Sequence, residues 1–273
     1  MVHAAEATWH RVHETEKPCR IHNGREGGGR GMRKALRRFL ICSRLDGNRE
    51  AIEWLKNAAK QHEPHAILFA GGILGKPAPG EDRRQLSHEA AETFKSFFKG
   101  LGDTGVYAAV IPGWYDQPID EFLNLALDAE IEFPNVHVVH GTLFEEGDVA
   151  LCGVGGELAE KGSCTGEHLT RSRAVAEYML RMLWRSDVSR KVLLLGSPPN
   201  GKLGGSIGSV VAGEIVDSYH PDLCAVAGET EHRGMDRVAH TVIINPGRLA
   251  DGSAALFDWN KPDGEQLELL TIK

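Results

Sequence analysis

Short apolar runs alternate with amphipathic segments along most of the 273-residue chain. Continuous apolar runs predict buried strands, and apolar residues at helical spacing, as at Ile52, Leu55 and Ala59, predict helices that cover them. The strands are expected at 39–43, 66–70, 106–111, 136–139, 149–154, 192–195, 223–226, 241–244, 254–258 and 267–272. The helices are expected at 48–62, 85–101, 119–129, 171–184 and 209–219, the last with Ser209 as N-cap. The pattern predicts an α/β fold in which two mixed sheets pack face to face between outer helices, a four-layer α-β-β-α sandwich.

The first 32 residues lack this regularity. They mix charges with the run Gly27-Gly28-Gly29 and with scattered candidate metal ligands, namely His3, His10, His13, Cys19 and His22. The spacing of these ligands fits no common zinc pattern. We therefore predict a disordered or poorly defined leader at 1–32, followed by a single domain at 33–273.

Composition limits the classes of partner that we expect and indicates the cellular compartment. Hydrophobic residues make up 41% of the chain and charged residues 25%, as in ordinary globular proteins. The net charge of −7 argues against a nucleic-acid binder, and no apolar run is long enough to cross a bilayer. The five cysteines are scattered without a CxxC pair, which favours reduced thiols in the cytoplasm.

Two glycine motifs look like known binding loops, but their surroundings argue against them. The stretch from Gly71 to Lys76 resembles a phosphate-binding loop, yet Pro77 follows where Ser or Thr is needed. The stretch from Gly204 to Gly208 matches G-x-S-x-G, but a loop separates it from the preceding predicted strand. We interpret both as ordinary loops.

A more distributed signal lies in the loops after the predicted strands. They read Arg44-Leu-Asp46-Gly47-Asn48, Gly71-Gly72, Pro112-Gly-Trp-Tyr-Asp116, Gly196-Ser-Pro198-Pro199, Gly228-Glu-Thr-Glu231 and Asn245-Pro-Gly247. In order and spacing they resemble the calcineurin-like metallophosphoesterases, whose motifs are D-x-H-G-N, G-D, G-N-H-D, H-x-P-P, G-H-x-H and N-P-G-S. The resemblance covers about residues 36 to 273. It implies the calcineurin-like phosphoesterase fold for this chain.

The same resemblance implies that the metal site of the family is degenerate here. That family uses two metal ions, bridged by one aspartate, to bind and polarise a phosphate. At the family's metal-ligand positions this chain has Arg44, Asp46, Gly72, Trp114, Gly196, Glu229 and Glu231, and Tyr115 stands at the catalytic histidine. Asn48 and Asp116 are unchanged, and we expect them in the pocket. We expect no metal cofactor and no phosphoesterase activity, but a pseudoenzyme that binds an unknown small molecule or protein partner.

The substitutions also predict a specific contact. A permanent cation at Arg44 repels dications, and Asp46, Glu229 and Glu231 are expected near the same point. We predict that the Arg44 guanidinium replaces the metals as the neutralising charge and lies within hydrogen-bonding distance of Glu229 or Glu231. The aromatic rings of Trp114 and Tyr115 are expected to fill the remaining volume.

Two alternatives remain open. In the first, Asp46, Asp116, Glu229, Glu231 and His232 hold one Mg²⁺, Mn²⁺ or Ca²⁺ ion, and Tyr115 or His232 acts as acid or base in an active phosphoesterase. In the second, the protein is a structural or scaffolding subunit, which a closed cleft and an apolar surface patch would favour. Recognition is expected in the loops 72–84, 155–170 and 200–207.

Overall fold

The computed structural model describes residues 35–80, 82, 85–161 and 168–273, so the predicted leader lies outside the described residues. The strands are β1 (Arg38–Cys42), β2 (Ala66–Phe69), β3 (Tyr107–Val110), β4 (Val136–Val138), β5 (Phe144–Glu146), β6 (Val149–Val154), β7 (Glu157–Ala159), β8 (Thr170–Ser172), β9 (Arg190–Leu195), β10 (Leu223–Val226), β11 (Gly234–Val238), β12 (Thr241–Asn245), β13 (Ser253–Asp258) and β14 (Leu267–Thr271). The helices are α1 (Glu50–His62), α2 (His88–Thr104), α3 (Ile119–Glu132), α4 (Arg173–Arg185) and α5 (Val210–Tyr219).

The strands form two six-stranded mixed sheets and a small ribbon. The first sheet has the order β14-β13-β1-β2-β3-β4, in which β1 to β4 are parallel and β13 and β14 pair antiparallel. The second has the order β11-β12-β10-β9-β6-β5, with a parallel centre and antiparallel edges. The ribbon consists of β7 and β8. The predicted four-layer sandwich is confirmed.

The layers follow from strands that are apolar on both faces. In β1, Phe39 and Ile41 point into the core between the sheets, whereas Leu40 and Cys42 point to the core under α1, α2 and α3. On the other side, α4 and α5 cover the second sheet through residues such as Leu180 and Ile215. Successive side chains are therefore all buried, which is why these strands read as continuous apolar runs.

The five predicted helices are all present, with ends that differ by a few residues, and the Ser209 side chain caps α5 by accepting a hydrogen bond from the Ala212 N–H at 3.1 Å. Four strands were missed, namely β5, β7, β8 and β11, because they are short or carry polar residues at a sheet edge. Within the described part of the chain, no helix has the length and apolarity to span a membrane.

Backbone hydrogen bonds bring the loops after the strands together. The Arg44 N–H donates to the Gly71 carbonyl at 2.8 Å, and the Asp46 N–H donates to the Gly72 carbonyl at 3.0 Å. The loop after β12 joins them, since the Ala250 N–H donates to the Arg44 carbonyl at 3.0 Å. The carboxyl ends of the parallel strands thus share one edge of the molecule, where ligand pockets of such sheets lie.

Candidate functional site

A pocket of about 250 Å³ opens at this edge. Most of the predicted site residues line it, and these are Arg44, Asp46, Gly72, Trp114, Tyr115, Gly196 and Glu229. Of the predicted recognition loops, 72–84 contributes Leu74 and Lys76 and 200–207 contributes Ile207. The loops therefore build one concave site rather than separate features.

The floor of the pocket is an ion-pair network. Arg44 Nη1 donates to Glu229 Oε1, and Arg44 Nη2 lies 3.4 Å from Asp46 Oδ2. The expected contact between Arg44 and Glu229 is therefore present. A second cation was not anticipated: Arg248, in place of the serine of the N-P-G-S motif, donates from Nε to Asp46 Oδ2 at 3.0 Å.

Glu231 does not join this network. It lies exposed on the 3₁₀ turn Thr230–His232 and does not line the pocket, so two carboxylates converge there and not the expected three. His232, the other residue of that turn in the single-metal set, packs its ring against Gly205 and is not a lining residue. The turn directs both side chains away from the floor.

Asp116 and Asn48 hold the loops in place and do not line the pocket, contrary to expectation. Asp116 is fully buried and accepts four backbone N–H bonds, from Gly72, Ile73, Leu74 and Gly113, at 2.6 to 3.2 Å. Burial raises the pKa of Asp116, and the four N–H groups act against that rise. The Asn48 side chain donates to the Ala250 carbonyl at 3.1 Å.

The residues present do not fit the metal pair that the family implies. Gly72 offers no donor, and its φ of +86° is strained for any side chain. Arg44 and Arg248 already neutralise the two remaining carboxylates. Among the residues that the structure describes, no group of three or more His, Cys, Asp or Glu side chains is placed to hold a metal ion. The single-ion set of Asp46, Asp116, Glu229, Glu231 and His232 is likewise not assembled.

An aromatic wall faces the network. Trp114 Nε1 donates to the Gly196 carbonyl at 2.7 Å, which fixes the indole. The Tyr115 ring stacks on His168, with centroids 5.2 Å apart and planes inclined by 15°. Burial raises the pKa of Tyr115, and nearby Arg44 only partly opposes this, so the phenol is neutral at physiological pH.

Sequence reasoning missed the contacts of two histidines, His168 beside this wall and His140 under the loop that begins at Gly155. His168 Nδ1 lies 3.3 Å from Glu157 Oε2, and its Nε2 is buried with no hydrogen-bond partner in the described chain. His140 Nδ1 accepts from the Gly155 N–H at 2.9 Å, and burial lowers the pKa of His140 to about 3. The loop 155–170 was singled out, but nothing in its spacing indicated that Glu157 and His168 meet.

Comparisons with known proteins agree with the loop motifs. The sequence profile described as metallophosphoesterase, calcineurin superfamily, matches residues 32–267. The crystal structure of TT1561 from Thermus thermophilus is 27% identical, with a TM-score of 0.76, and the match covers 88% of this chain and 100% of that one. Another solved chain is 26% identical with the same TM-score, covering 87% and 99%. No match was found among the curated proteins. The chain therefore belongs to the metallophosphoesterases of the calcineurin superfamily.

Proposed function

We propose that this protein is a pseudoenzyme that binds a small molecule in the strand-end pocket and does not hydrolyse phosphoesters with a metal pair. One observation carries the proposal: the Arg44 guanidinium pairs with both Glu229 and Asp46, the two carboxylates that line the pocket. The Arg44 guanidinium, which stays protonated, thus supplies the positive charge that metal ions supply in the family.

The electrostatics favour this exchange of metal for guanidinium. A dication about 4 Å from a guanidinium is repelled by about 8 kcal/mol at an effective dielectric constant of about 20. The attraction that would offset this comes from Asp46 and Glu229, which already pair with Arg44 and Arg248. The pocket therefore lacks the uncompensated negative charge that holds a hard cation.

The test combines metal analysis with turnover. The purified protein is dialysed against Mn²⁺ or Mg²⁺, its metal content is measured by mass spectrometry, and hydrolysis of a nitrophenyl phosphate and of its diester is followed. We expect well below one ion per chain and a rate equal to that of the Glu229→Ala variant. About one ion per chain, with turnover that Glu229→Ala abolishes, would instead establish the remodelled phosphoesterase.

The shape of the pocket bears on the kind of ligand, and the buried cysteines bear on the cellular compartment. The pocket is concave and open to solvent, as small-molecule sites are, which argues against a purely structural subunit. Cys42, Cys152 and Cys224 are free, buried thiols, and this supports a reducing compartment. We therefore assign the protein to the cytoplasm, with a small molecule as its partner.

A further inference from the structure

The walls of the pocket are apolar and held rigidly. Trp114 is fixed by its bond to the Gly196 carbonyl, and Tyr115 by stacking on His168. Leu74, Ile207 and Ala227 complete the apolar lining. Flat rings gain from such aromatic walls both by burial and by ring-to-ring contact, and fixed walls lose little entropy when a ligand binds.

The cationic side chains at the pocket differ in whether they already have an ion-pair partner. Arg44 and Arg248 form ion pairs with Glu229 and Asp46 in the floor network. Lys76 also lines the pocket, but its ammonium group has neither an ion-pair nor a hydrogen-bond partner in the described part of the chain. The Tyr115 phenol, which lines the same pocket, is neutral, so it does not oppose a negative group on the ligand.

The position of Lys76 and the size of the pocket limit the ligand further. Lys76 also lines a second pocket of about 200 Å³, which places it where the two meet. The strand-end pocket, at about 250 Å³, is smaller than the roughly 300–1,000 Å³ typical of sites for drug-sized ligands. A ligand of one or two rings fits this space, whereas a dinucleotide is too large.

We infer that the pocket recognises a flat aromatic ring that carries an anionic group such as a carboxylate, with the ring against Trp114 and Tyr115 and the anionic group on Lys76. This inference rests on the proposed function, because it takes the floor to be closed by Arg44 and not by metal ions. The ring supplies most of the affinity through burial. Lys76 selects anionic ligands over neutral ones.

Ligand-detected NMR titration tests the ring and the charge separately. The probes are naphthoate, its neutral amide naphthamide, and the saturated decalin carboxylate. We expect naphthoate to bind about fivefold more tightly than naphthamide, as one partly exposed charge contact allows. We expect a preference over decalin carboxylate of roughly fivefold to tenfold from the aromatic contacts. Lys76→Ala should abolish only the preference over naphthamide. Lys60→Ala, at an exposed lysine on α1 that does not line the pocket, should preserve both.

Each part of the inference has a result that overturns it. Equal binding of naphthoate and naphthamide would refute the charge contact, and equal binding of decalin carboxylate would refute the ring contact. A preference for naphthoate over naphthamide that survives Lys76→Ala but is lost in Arg44→Gln would place the carboxylate on the floor. Naphthyl phosphate separates this inference from the proposed function. Its Mn²⁺-dependent hydrolysis would overturn the proposed function, whereas failure of the carboxylate probes without hydrolysis overturns only the ligand class.

Discussion

Replacing Arg44 with Gln tests the ion-pair floor by removing its charge while keeping much of its length. Glu229 then loses the one cation that bonds to it in the described chain, whereas Asp46 keeps Arg248 at 3.0 Å. Removing one partner of a fully buried ion pair costs about 3–5 kcal/mol, and exposed pairs contribute at most about 1 kcal/mol. The side chains of Arg44 and Glu229 are 24% and 29% exposed, so we expect a loss of about 1.5–2 kcal/mol in the free energy of unfolding, between these two limits.

Urea unfolding followed by circular dichroism measures this loss in a double-mutant cycle with Glu229→Gln. In the double variant no carboxylate is left uncompensated, so its loss should fall short of the sum of the single losses by about 1 kcal/mol. The pair of Arg173 and Glu177 on α4 is a matched control, because its atoms lie 2.8 Å apart but its side chains are 44% and 42% exposed. Solvent screens that exposed pair, so its coupling should be clearly weaker than that of Arg44 and Glu229.

Losses for Arg44→Gln and Glu229→Gln that add to within about 0.3 kcal/mol would show that the two side chains do not interact. Coupling equal to that of the exposed control pair would show that they interact only as a solvent-screened pair does. Either result would mean that the guanidinium lies beside Glu229 without neutralising it, and the floor of the pocket would not be closed.

Three further predictions concern residues that do not line the pocket. Asp116→Asn should cost about 2–3 kcal/mol, because the four N–H groups lose part of their shared acceptor; unchanged urea stability would contradict this. The pKa of His140 is lowered to about 3, so the unfolded chain binds a proton that the native chain does not as pH falls from about 6.5 to 3. Stability should therefore fall by up to about 1.4 kcal/mol per pH unit in this window. His140→Asn, which keeps an acceptor for Gly155, should show a shallower slope in unfolding curves taken across the window. Ser209→Ala should lower the melting temperature by removing about 1 kcal/mol of N-cap stabilisation, and an unaltered melting temperature would count against the cap.

The fold was predictable because its central strands are apolar on both faces. The side chains from Phe39 to Cys42 alternate between two cores, so all of them are apolar and the sequence shows one uninterrupted apolar run. The edge strands show no such apolar run. Strand β11, for example, exposes Asp236, Arg237 and Val238, so its pairing with β12 depends on the neighbouring strand and not on its own pattern.

The sequence predicted which side chains meet in the pocket only where those side chains directly follow the end of a strand. Arg44 and Glu229 follow strands β1 and β10, and the shared edge of the parallel strands brings them together. Beyond the strand ends, local turns decide where a side chain points. Glu231 is two residues past Glu229, but its 3₁₀ turn leaves it exposed. Asp116 turns inward to accept N–H groups from two loops, which its residue type alone could not reveal.

The backbone at Gly72 opposes any side chain at the position where the family has its bridging aspartate. Its φ is +86°, and a Cβ there would lie 3.0 Å from Arg44 Cα and 3.1 Å from Arg44 Cγ. Gly47 is a matched control with a φ of +80° and no atom within 4 Å of such a Cβ. Gly47→Ala should therefore cost only the backbone strain of about 1–2 kcal/mol. Gly72→Ala should cost at least about 1 kcal/mol more, since the contact with Arg44 is added.

Gly72→Asp restores the bridging carboxylate that the family resemblance implies for this position, yet we expect it to bind less than one Mn²⁺ per chain. The new carboxylate meets the backbone and side chain of Arg44, whose charge it can pair with more readily than with an ion. Metal analysis together with urea unfolding of Gly72→Asp and Gly47→Asp checks both claims. Stoichiometric Mn²⁺ in Gly72→Asp, at a stability equal to that of Gly47→Asp, would refute them. The glycine and the arginine would then be independent substitutions, whereas the 3.1 Å approach of a Cβ at residue 72 to Arg44 Cγ argues that the two are coupled.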